Sequence, residues 1–161
     1  MRREYCLLAI ISSAVIVLDQ ISKLIVAHTI QLHESVPIIN GFFSLVHARN
    51  RGMAFGLMNR SHVDVYTYIL VAATVGAIVL LLYWFSRLKT EDTRLVIGFS
   101  LILGGAVGNL IDRVRYLEVI DFLDFYIGPY HWPAFNVADS AITVGAFGMA
   151  FYMLFQHSSK G

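Results

Sequence analysis

Residues 66–85, "YTYILVAATVGAIVLLLYWF", form an apolar run without one charged side chain. About 17 to 25 such residues carry a helix across the hydrocarbon of a bilayer. In lipid every backbone N–H and C=O needs a partner inside the protein, so helices and closed barrels are the structures that span. Three further runs, at 5–27, 95–111 and 139–155, are of similar character. Charged residues make up 14% of the chain, against about a quarter in a soluble domain. The 161 residues therefore predict a single membrane-embedded domain over 1–161, an all-α integral membrane protein of four transmembrane helices.

The two later runs are near the short limit for a span and are polar at one end, which should border water or a cavity lined by protein. The outer segments would be 28–62 and 116–136. The first mixes β-branched and aromatic residues with Asn-Gly and Arg-Gly turn signals and predicts a small extracytoplasmic β-sheet. In the second, Tyr130 and Trp132 suit a membrane–water interface. An even number of spans places both termini on one side with Arg2, Arg3, Arg87, Lys89, Arg94 and Lys160. Arg49, Arg51, Arg60, Arg113 and Arg115 lie on the other side, spread over longer segments, so both termini are expected to be cytoplasmic. The N-terminus has the basic-then-apolar order of a signal peptide, but its apolar part is long and no small-residue cleavage site follows. It reads as a retained first span.

Several chemistries are disfavoured. A net charge of +1 gives no polyanion-binding surface, so no nucleic acid is expected. Cys6 is the single cysteine, and the histidines are scattered without metal-ligand spacing. There is no phosphate loop and no nucleophile elbow. Carboxylates are the catalytic groups left, with no metal or cofactor expected.

An ionisable residue inside a span is costly and usually faces the bundle interior or a watery cavity. Asp19 and Lys23 are four apart, acid first, as an intrahelical ion pair requires; the pair could orient the helix or support a site. In "GGAVGNLIDRVR", Gly104 and Gly108 permit close helix approach, and Asn109 and Asp112 share a face. Asp112 and Arg113 could equally end the span at the interface. Asp121 and Asp124 in "VIDFLDFY" would share a face on a helix and oppose each other on a strand. Asn136 followed by Asp139 before an apolar run reads as close to a capping box, although a helix N-terminus is also a good place to fix a catalytic acid. Asn50, followed by Gly52, reads first as turn chemistry and could also hydrogen-bond an extended peptide.

Taken together and in order, "DQISK" (19–23), "NRGMAF" (50–55), "GNLIDR" (108–113), "VIDF" (119–122) and "FNVADS" (135–140) resemble the bacterial lipoprotein signal peptidases, the signal peptidase II family. The resemblance implies a multi-pass enzyme of the bacterial cytoplasmic membrane, with its active site near the extracytoplasmic face. Such an enzyme is an aspartic endopeptidase that removes the signal peptide from lipid-modified prolipoproteins just before the modified cysteine. It carries the family's catalytic aspartates onto Asp121 and Asp139. Family support positions fall on Asp19, Lys23, Asn50, Gly52, Gly108, Asn109, Asp112, Arg113, Asn136 and Ala138. It also implies membrane lipid as a partner and sensitivity to globomycin-type cyclic peptides.

Two departures stand out. Leu117 occupies a place where the family often has glycine, and because a left-handed turn is costly for leucine an ordinary backbone is expected there. Met53 stands where alanine is frequent and would alter a substrate-facing surface. Asp124 receives no catalytic role. A small ion- or proton-coupled transporter and a noncatalytic assembly module are the rival readings; the first is weakened by the absence of a detectable repeat.

Overall fold

The computed structural model describes residues 3–52, 64–88 and 92–158, the side chains of 64–66 and 156–158 aside. Met53 lies outside these residues, as do Arg2, Arg60, Lys89 and Lys160. Eight elements follow in order: α1 (Arg3–Thr29), β1 (Ser35–Ile39), β2 (Phe43–Asn50), α2 (Asp64–Arg87), α3 (Thr93–Tyr116), β3 (Val119–Ile127), β4 (Tyr130–His131) and α4 (Val137–Ser158). All four helices are long and apolar enough to cross a membrane.

The molecule is patterned inside out. Val17, Leu18, Ile21 and Ile25 on α1 and Val144, Phe147 and Phe151 on α4 are exposed, whereas Asp19, Lys23, Asn109 and Asp112 are buried. In water this would be a large sticky surface; against lipid tails it is the expected arrangement, because polar groups in spans turn inward. α3 is the central helix, with 56% of its spanning window buried against 6% for α2.

Small residues on α3 set the helix spacing. A Cβ on Gly104 would lie 2.7 Å from the Val15 Cβ, and one on Gly105 would lie 2.3 Å from the carbonyl oxygen of Ala138. Close backbone approach of this kind lets dispersion hold helices together where lipid offers no hydrophobic drive. At the end where the chain begins, Leu8, Phe85, Val96 and Phe99 form an apolar cluster, and Tyr5 packs edge-on against Phe85.

The sheet is antiparallel throughout, in the order β1-β2-β3-β4. Asn40 and Gly41 turn β1 into β2, with Gly41 at φ 80° and Phe42 N–H donating to the Ile39 carbonyl. Gly128, at φ 58°, and Pro129 turn β3 into β4. The chain then runs back along β3, and Phe135 exchanges backbone hydrogen bonds with Leu123. That return brings Asn136 alongside Asp121.

Three expectations change. The sheet draws strands from both outer segments, so the all-α description holds for the spans and not for the chain. The third helix continues to Tyr116, five residues beyond the expected end at 111, and carries Asp112 and Arg113 with it. Leu117 is not ordinary: it caps α3 in the left-handed conformation, φ 60° and ψ 10°, with its N–H donating to the Arg113 carbonyl. A helix that must stop and hand the chain to a strand within two residues needs this reversal, and the helix-end hydrogen bond offsets part of the strain.

Candidate active site

At the far end of the bundle, polar side chains of α1, α3, β3 and α4 form one connected set. It begins at Lys23, which is 1% exposed. Its ammonium donates to Asp19 Oδ2 at 2.8 Å and Asn109 Oδ1 at 3.0 Å and forms an ion pair with Asp112 Oδ2 at 2.9 Å. A buried ammonium lacking such partners would be severely penalised by desolvation.

The two acids are themselves filled. Asp19 Oδ1 accepts the backbone N–H of Ala138 at 2.9 Å, which ties α1 to the first turn of α4. Asp112 Oδ2 accepts the N–H of Ile120 at 3.2 Å, which ties α3 to the start of β3. Gly108 makes room: a Cβ there would lie 2.7 Å from Asp19 Oδ2. Ala138 is fully buried, its Cβ 3.4 Å from where that atom would stand. Asp19 and Lys23 thus form the intrahelical pair and also bind α3 and α4.

Asn109 passes the order on. With Oδ1 facing Lys23, its Nδ2 donates to Asp139 Oδ1 at 2.8 Å. Asn136 does the same for the other acid, its Nδ2 donating to Asp121 Oδ1 at 2.7 Å. The two amides touch, Asn136 Nδ2 to Asn109 Oδ1 at 3.3 Å. An unbroken chain therefore runs Asp121–Asn136–Asn109–Asp139.

Asn136 also caps α4. Its Oδ1 accepts the Asp139 N–H at 2.9 Å, and Asp139 Oδ2 accepts the Asn136 N–H at 3.3 Å, the reciprocal pair of a capping box. The cap and the acid-pair bridge are one residue.

On the open side, Asn50 Nδ2 donates to Asp121 Oδ2 at 2.9 Å while its Oδ1 accepts the Gly52 N–H at 2.8 Å. The turn reading of Asn50 and its contact with the acid hold together. Gly52 has φ 82°, and a Cβ there would lie 2.2 Å from the Leu70 side chain, so no other residue fits without a shift. Among the described residues Arg113 reaches the carbonyl of Asn109 in its own helix, at 3.4 Å.

Burial pushes the Asp121 carboxyl up to about 6, the amide donors of Asn50 and Asn136 pull it down, and the like charge of Asp139 raises it further. Asp121 lies on a strand, so Asp124 three residues later points to the other face and pairs with His131 Nδ1 at 2.9 Å. The two are not a dyad.

Sequence reasoning missed Gln20. Its Nε2 donates to Asp112 Oδ1 at 2.9 Å and to the Gly108 carbonyl at 3.2 Å, clamping α1 to α3. A glutamine beside a charged pair carries no spacing signal; only its place at the polar end of an apolar run could have marked it.

A model of the signal peptidase II family matches residues 11–155. The lipoprotein signal peptidase of Desulforapulum autotrophicum is 48% identical over 92% of this chain and 91% of its own length. That of Syntrophus aciditrophicus is 41% identical over 99% of each. A solved bacterial membrane enzyme superposes with a TM-score of 0.83 at 31% identity, covering 96% of this chain and 91% of its own.

Proposed function

The chain belongs to the signal peptidase II family, and from that membership we propose that it is an aspartic endopeptidase whose acid pair is Asp121 and Asp139. It acts as a lipoprotein signal peptidase, removing the signal peptide from prolipoproteins, as a multi-pass protein of the bacterial inner membrane. In the finer reading, residues 1–161 make one peptidase domain with both termini cytoplasmic and the acids near the extracytoplasmic face. Its substrates carry a diacylglyceryl cysteine and are cut just before it. Globomycin-type peptides would occupy the same site.

Two carboxylates in one electrostatic field cannot both ionise easily, so the pair holds one proton up to about pH 6. The ionised member takes a proton from water as that water attacks the scissile carbonyl carbon. The protonated member donates a hydrogen bond to the carbonyl oxygen, stabilising the charge that develops there. The proton then returns to the leaving nitrogen as the C–N bond breaks. The pair titrates as a unit, so the proton is assigned to the dyad and not to one acid.

The supporting observation is the amide chain from Asp121 through Asn136 and Asn109 to Asp139. The two amides donate neutral Nδ2 hydrogens to the acids, which orients them without adding a positive charge, whereas a lysine or arginine at the same place would hold both ionised. Lys23 is kept one residue away, behind Asn109.

The test is cleavage of a diacylglyceryl-modified precursor by purified protein in lipid, wild type against folded Asp139→Asn. Cleavage by wild type alone is expected. Equal cleavage by both would reduce Asp139 to a cap. Flux without proteolysis in proteoliposomes would instead favour the transporter.

A further inference from the structure

At the end of the bundle remote from the acids, α3 and α4 leave a groove of about 710 Å³ between them. Its walls are apolar: Ile97 and Leu101 from α3, Val144, Phe151 and Phe155 from α4. Gly148 lines it too, and a Cβ there would meet open space. The groove contains none of the site residues described above.

At its mouth is a cation. Arg94, exposed in the first turn of α3, lies with its guanidinium 5.4 Å from the centre of the Tyr152 ring, which holds it at the groove. The neighbouring Asp92 accepts the Arg94 backbone N–H and the Tyr152 hydroxyl, and its carboxylate also interacts electrostatically with Arg94. Arg3 and Arg87 belong to the same end of the bundle, the start of α1 and the finish of α2.

Because both walls are spanning helices, the medium at this groove is lipid. A volume of about 300–1,000 Å³ suits a small flexible ligand, whereas a helix roughly 10–12 Å across would lie over such a groove and not in it. An apolar slot ending in an arginine at headgroup depth complements one molecule class, an acyl chain attached to a phosphate. We propose that this groove seats an acyl chain of an anionic phospholipid, with Arg94 against its phosphate.

The measurement is native mass spectrometry of the purified protein released from detergent with phosphatidylglycerol or phosphatidylcholine of identical acyl chains. Wild type should retain phosphatidylglycerol about tenfold better, the order of one charge-assisted contact. Arg94→Gln should erase that preference, and Gly148→Leu, whose side chain would project into the slot, should lose retention of both lipids. Equal retention of the two lipids by wild type would overturn the proposal, as would unchanged retention in Gly148→Leu. Displacement of phosphatidylglycerol by inorganic phosphate would leave only an anion site and also overturn it. A dimer mass abolished by Gly148→Leu would assign the groove to a second copy of the chain instead.

Discussion

One end of this bundle is held by a lysine, carboxylates and amides, the other by Leu8, Phe85, Val96 and Phe99. The apolar end tolerates variation in degree, since each side chain adds many weak contacts and a lost methyl forfeits only some of them. The polar end is close to all-or-none. Lys23 holds two buried carboxylates and an amide, and removing it leaves both carboxylates without compensation. Directional bonds can hold Asp121 and Asp139 in register where shape alone could not.

The sharpest break in the comparison is at the acids. Asp121→Asn should lower cleavage by about 10²- to 10⁴-fold, the usual worth of a general acid or base, while circular dichroism shows the helices intact. Next, Lys23→Met should cost about 3–5 kcal/mol by stranding two buried carboxylates, and should lower the cleavage rate with it. Phe99→Ala should destabilise by a similar amount, about 3–5 kcal/mol, yet leave the rate per folded molecule unchanged. Thermal melts beside active-site-normalised rates separate the two ends.

The pH dependence is smaller. A carboxyl raised from 3.8 to about 6 binds its proton more tightly in the fold than in the unfolded chain. Its contribution to stability is therefore complete below about pH 3.8 and lost as pH rises through about 6. Asp121→Asn should flatten that part of the stability curve. In wild type, kcat/KM should fall on the alkaline side as the shared proton leaves the free dyad.

Leu117→Gly should raise stability by about 1 kcal/mol through relief of the left-handed backbone, read as a higher Tm with no change in rate. Least of all, Asp124→Asn should keep most activity and shift stability by no more than about 1 kcal/mol, because its partner His131 is half-exposed.

What was legible followed from strong local rules. The four spans could be read because lipid admits so few structures, and the Asp19–Lys23 pair because its spacing is intrahelical. The capping box at Asn136 and Asp139 was equally plain. By contrast, Asp121 and Asp124 stayed undecided, since their geometry depends on strand pairing with β2, a long-range fact. The Leu117 reading failed because residue preference argued against a left-handed leucine, whereas the need to end α3 and start β3 two residues later outweighed it. The contact between Asn136 and Asn109 joins residues 27 apart in sequence, and no local pattern announces it.

Asn136 ties biogenesis to chemistry. It is the residue that starts the last helix, and the same side chain orients the acid on β3. A nascent chain that has threaded its first three helices into the bilayer already contains Asp121 and the Asn50 amide but lacks the Asn136 amide and Asp139. With the proposed acid pair, hydrolytic competence arrives only with the closing step of assembly.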